Sequence, residues 1–168
     1  MRTEWELLPV SRLHGRIAAF TATAGLKSPS AEFFKALGEM PDVWRLAVAY
    51  ISDDRVIEAL KVFRNARSVE LFEASVAVKE FPYLANCTKL DCDMRFTDDA
   101  IRSLLKMKRL RKLSIGLARD VSLEGIAQLK QIPALSKLNL LLDREKAHAS
   151  FKNELVRAMR PTVEVTFD

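Results

Sequence analysis

The sequence predicts an α/β solenoid with a parallel sheet on its concave side and helices on its convex side. Three observations carry this. The apolar pairs Leu46-x-Val48, Val69-x-Leu71, Leu90-x-Cys92, Leu113-x-Ile115, Leu138-x-Leu140 and Val163-x-Val165 recur every 21 to 25 residues. That interval holds one strand, one turn and one helix. Between the pairs, apolar residues return at helical spacing, and polar residues suited to capping stand at the predicted helix starts. In such a coil each unit exists to bury its neighbour's apolar face, so the period speaks to architecture and hardly to chemistry.

Taken in order, Trp5, Leu7, Leu8, Val10 and Leu13 form a hydrophobic lid within an N-terminal cap, residues 1–15. Repeats occupy 16–161, with Ile17-x-Ala19 as a degenerate first turn that sets Arg16, Ala18 and Phe20 on the concave side. Ser28-Pro29 starts a helix, proline being tolerated at the first helical position, and Phe33, Phe34 and Leu37 supply its apolar face. Ser52-Asp53-Asp54 opens the next, ahead of Val56, Ile57, Leu60 and Phe63. The unit from Val69 to Leu90 is the shortest, and Pro82 interrupts the pattern from Val76 to Leu84, which predicts a brief or irregular helix.

The clearest unit begins at Leu90, passes Phe96-Thr97-Asp98-Asp99, and continues through Ala100, Ile101, Leu104, Leu105, Met107 and Leu110. Thr97 can accept a hydrogen bond from an orphan amide, and the acids beside it favour the positive end of the helix dipole. Ser122 repeats this before Ile126, Leu129, Ile132 and Leu135. A last helix over Ala149 to Met159 delivers a terminal strand, 162–168, in which Thr162, Glu164, Thr166 and Asp168 alternate with Val163, Val165 and Phe167. Polar groups on such a strand discourage edge pairing.

The run Phe96 to Ile115 resembles a leucine-rich repeat of the cysteine-containing class, found in F-box-type adaptors and in bacterial repeat proteins. Thr97-Asp98 matches that class's helix opening, and Leu110, Leu113 and Ile115 match its Leu-x-x-Leu-x-Leu approach to the strand, as do Leu135, Leu138 and Leu140. The match covers residues 87–142 well and the rest through its period. The resemblance implies partner binding. No F-box sequence precedes the repeats, so it implies no ubiquitin-ligase role. Ile51, Ala74, Arg95, Ala118 and Asp143 stand where many such repeats place Asn or Cys, which predicts uneven turns.

Composition narrows the class. At 168 residues with 49% hydrophobic and 29% charged, the chain reads as one soluble domain. No apolar run approaches the roughly 20 residues that span a bilayer, and the acidic start lacks a signal-peptide core, which points to a cytoplasmic location. Cys87 and Cys92 are too few for a disulfide framework and lack a second ligand pair for zinc, so both read as buried thiols. The net charge of +5 lies entirely in the second half: residues 1–86 hold 11 basic and 11 acidic side chains, and residues 87–168 hold 16 and 11.

Strand alternation then writes out the concave surface. Arg45, Lys89, Lys112 and Lys137 share one column, with Glu70 and Asp91 in the next and Phe72, Asp93 and Leu141 in the third. Neighbouring lysines about 5 Å apart repel by roughly 0.8 kcal/mol in bulk water. Asp91, Asp93 and an acidic partner can neutralise such a row. The sequence therefore predicts a non-catalytic scaffold that binds an acidic protein surface through Arg45, Phe72, Lys89, Asp91, Lys112 and Lys137. The alternative is a nucleic-acid or anionic-lipid-binding module using the basic cluster of residues 102–112. His14 and His148 form no metal-ligand pattern and the five glycines no phosphate-cradling loop, so no catalytic residue, metal or cofactor is expected.

Overall fold

The computed structural model describes residues 6–13, 16–23, 43–49, 54–72 and 77–168. These build a mixed α/β fold in the order β1 (Glu6–Leu13), β2 (Arg16–Thr23), β3 (Arg45–Ala49), α1 (Asp54–Ala59), β4 (Ser68–Phe72), β5 (Ala77–Val78), β6 (Lys89–Phe96), α2 (Asp98–Leu104), β7 (Lys112–Leu117), α3 (Leu123–Ala127), β8 (Lys137–Leu141), α4 (Ala149–Ala158) and β9 (Glu164–Phe167). Seven strands, β2, β3, β4, β6, β7, β8 and β9, lie side by side and parallel. At one edge β1 pairs antiparallel with β2, and the short β5 joins the far end of β6. The Ser28-Pro29 helix, Trp5 and the Ser52-Asp53 cap lie outside the described residues.

One face of the sheet is dry. Leu46, Val69, Leu90, Leu113 and Leu138 stand opposite one another on consecutive strands, none more than 2% exposed, in one core with Val48, Leu71, Cys92, Ile115 and Leu140. The helices close this face with Ile57, Ile101, Leu104, Ile126 and Leu155. Capping follows the expected chemistry: Thr97 Oγ1 accepts from the Ala100 amide at 3.3 Å and Ser122 Oγ from the Gly125 amide at 2.9 Å. Asp98 does more than meet the dipole. Its carboxylate accepts from the Ser122 amide at 3.1 Å and hydroxyl at 2.9 Å, tying the start of α2 to that of α3. A Cβ on Gly125 would lie 2.1 Å from that carboxylate, so the approach needs glycine.

Three local arrangements differ from the pattern in the sequence. Between β4 and β6 the described residues 77–88 contain no helix at all. Phe81 and Leu84, at 2% and 1% exposure, fill the core from irregular backbone, and the Phe81 amide is satisfied by Ser103 Oγ at 2.9 Å. Second, β6 bulges: Cys92 faces Ile115, yet the next pair is Arg95 with Gly116, leaving Asp93 and Met94 as extra residues. Met94 turns fully into the core. Asp93 therefore does not share a rung with Gly116.

The third difference is register at both ends. Phe20, not Ile17, stands opposite Leu46: β2 pairs with β1 along its length on one edge and meets β3 on the other only from Ala19. A slip of three exchanges the two faces. Arg16, Ala18 and Phe20 consequently do not continue the column that begins at Arg45. At the other end Val165, not Val163, stands opposite Leu138. Val163 closes a turn through its amide to the Arg160 carbonyl at 3.0 Å, and the strand starts at Glu164, whose amide reaches the Ser136 carbonyl at 2.9 Å. That slip of two keeps each side chain on its face but sets Glu164, rather than Thr162, beside Lys137.

Candidate functional site

The second face of the sheet carries no helix among the described residues. Its first row runs Arg45, Ser68, Lys89, Lys112, Lys137 and Glu164 across six consecutive strands. The second row is Ala47, Glu70, Asp91, Ser114, Asn139 and Thr166. Adjacent strands are about 4.8 Å apart, so each side chain is within reach of its row neighbours. Lys89, Asp91, Lys112 and Lys137 line a shallow groove of about 330 Å³ together with Ser114, Asn139, Glu164 and Thr166. Arg45 lies two strands away and Phe72, 39% exposed, lies at the far end of β4, so neither lines that groove.

Glu70 organises the row, a role that alternation along β4 alone does not reveal. Its side chain is only 10% exposed, and it receives Arg45 at 3.0 Å from one side and Lys89 at 2.9 Å from the other. Burial opposes ionisation of this carboxyl, but the hydrogen bonds and positive charges of Lys89 and Arg45 prevail and hold its pKa below the ordinary value of 4.5. The available signal was its position, one strand from each cation and one row over. Lys89 also approaches Asp91 at 3.6 Å, and Lys137 pairs with Glu164 at 2.8 Å. Lys112 is exposed and makes no ion pair among the described residues.

Because Glu70 ionises more readily in the folded chain than in the unfolded one, its contribution is complete above pH 4.5 and disappears as pH falls through its lowered native value. Glu70→Gln keeps the shape and removes the charge. With both cations about 40% exposed, the expected cost at neutral pH is about 1 kcal/mol, read from urea unfolding midpoints. The same comparison well below pH 4.5 should show almost no difference. An equal deficit at both pH values would mean that the charge is irrelevant.

The basic cluster of residues 102–112 divides between surfaces. Arg102 on α2 pairs with Asp99 at 2.5 Å, and Arg109 donates to the Asn86 side chain at 2.9 Å. Lys106 lines a separate hollow of about 560 Å³ with Ile57, Phe81 and Tyr83, whereas Lys112 lines the sheet groove. Both thiols are buried. Burial pushes Cys87 up to about 12, against a smaller lowering by a backbone hydrogen bond at Lys89, and pushes Cys92 up as well, with Asp93 and Asp91 adding to the shift. Thiolate chemistry at neutral pH is thereby suppressed. Among the described residues no three His, Cys, Asp or Glu side chains gather as a metal-binding group, and no helix is long and apolar enough to cross a membrane. His14 lies outside the described residues and His148 is exposed. No protein-family model matches the chain, and no curated protein matches it in sequence.

Proposed function

We propose that this chain is a cytoplasmic leucine-rich-repeat solenoid acting as a non-catalytic scaffold, which holds an acidic protein partner against the open, concave face of its sheet. The observation that carries the reading is the row of Lys89, Lys112 and Lys137, in register on three adjacent strands within one groove. Support for the solenoid comes from the recurrence of one bonding pattern. The amides of Lys89, Lys112 and Lys137 each reach the carbonyl just before the preceding strand, at 3.0, 3.1 and 3.0 Å. The hydroxyls of Thr88 and Ser136 repeat the same contact at 3.0 and 3.1 Å. An open face with cations on rigid strands is suited to recognition, since electrostatic complementarity chiefly speeds encounter and selects partners.

Affinity capture with paired baits tests this. Lys89 is left intact, because removing it would strip the buried Glu70 of a partner. The double variant Lys112→Glu, Lys137→Glu alters only exposed side chains, so its far-ultraviolet circular dichroism should match the wild type. The wild-type chain should retain an acidic protein, and rebinding of that purified protein should weaken at least about tenfold with the variant. Equal capture by both baits would remove the groove from the function.

A further inference from the structure

The three lysines of the groove are not equivalent. Lys89 is held by Glu70 at 2.9 Å and approaches Asp91 at 3.6 Å, and Lys137 is held by Glu164 at 2.8 Å. Lys112, between them, has no carboxylate among the described residues. An incoming anion at Lys112 would sit about 5 Å from two further cations, while anions displaced to either side would meet Asp91 or Glu164. Two residues along β7 on the same face, the Ser114 hydroxyl accepts from Asn139 Nδ2 at 3.4 Å. Among the described residues its own proton has no acceptor, so it remains available as a second donor.

We infer that the groove takes a single carboxylate side chain of a protein partner, seated on Lys112 and Ser114, and rejects a run of negative charges. This rests on the reading of the open face as the binding surface and adds its selectivity. One acid in the middle satisfies the one groove lysine that has no carboxylate among the described residues. A second or third acid must compete with Glu164, or with Glu70 and Asp91, for a lysine already paired. Polyanions such as nucleic acid, whose affinity grows with each phosphate neutralised, gain least from such a surface.

The test uses the full chain, labelled with nitrogen-15, and three probes titrated by NMR: a capped Gly/Ser peptide with one central Glu, the same peptide with three adjacent Glu, and an oligothymidylate of matched length. The one-Glu peptide should shift the amides of Lys112, Ser114 and Asn139, and the three-Glu peptide should bind no more than about threefold tighter. Lys112→Met should weaken the one-Glu peptide about tenfold, against less than about threefold for Lys137→Met. If the three-Glu peptide binds tenfold tighter, and both variants lose equally, the single-carboxylate seat is wrong while the acidic-partner reading stands. If neither peptide moves any open-face amide, both are wrong. Oligothymidylate binding more tightly than either peptide, with steep loss on adding salt, would likewise overturn both in favour of nucleic acid.

Discussion

Truncation of Phe96 to alanine should destabilise the chain by about 3–5 kcal/mol. Phe96 is fully buried at the end of β6, where it faces Val78 on one side and Leu117 on the other. Its ring stacks on Phe81 with centroids 5.7 Å apart and planes inclined at 30°. Such aromatic pairs contribute about 0.5–1.5 kcal/mol beyond the area they bury. The setting makes the cost high. Phe81 lies in residues 77–88, which contain no helix, so removing its partner leaves a void beside irregular backbone. Urea unfolding followed by circular dichroism measures the loss, and a change below about 1 kcal/mol would show that this segment does not close the core.

The second large effect belongs to Gly116→Ala, at about 1–3 kcal/mol. A Cβ there would lie 2.8 Å from the Met94 carbonyl oxygen and 3.1 Å from that of Asp93. Both are backbone atoms of the β6 bulge, so relief requires moving the strand rather than turning a side chain. The bulge in turn sends Met94 into the core and Arg95 to Gly116. The variant should unfold at lower urea, and amide exchange should quicken first at 93–96. Wild-type stability in Gly116→Ala would contradict the close approach of β6 to β7.

Much of the dry face was legible in the residues. The pairs from Leu46-x-Val48 to Leu138-x-Leu140 occupy matched core positions, because a period of two within strands and a period near 23 between them leave little freedom about which side chains turn inward. Thr97 and Ser122 were legible as caps for the same reason: the hydrogen bond spans three residues of one chain segment. The cation row followed too, with Lys89, Lys112 and Lys137 in one register.

What the sequence by itself determined, then, is which face of β3, β4, β6, β7 and β8 is dry and where α2 and α3 begin, since both depend on neighbours a few residues away. Tertiary structure alone decided how far β2 and β9 slide along their partners: a slide of two, as in β9, leaves the inward pattern intact, and the slide of three in β2 is not marked by any local signal. It also decided which groove lysine has no carboxylate beside it among the described residues. Glu70 is 25 residues from Arg45 and 19 from Lys89, and only strand pairing brings the three charges within 3.0 Å of contact. Coulomb attraction falls with distance in space, not along the chain, so a Lys112 without an ion pair among the described residues emerges only when every neighbouring strand is in place.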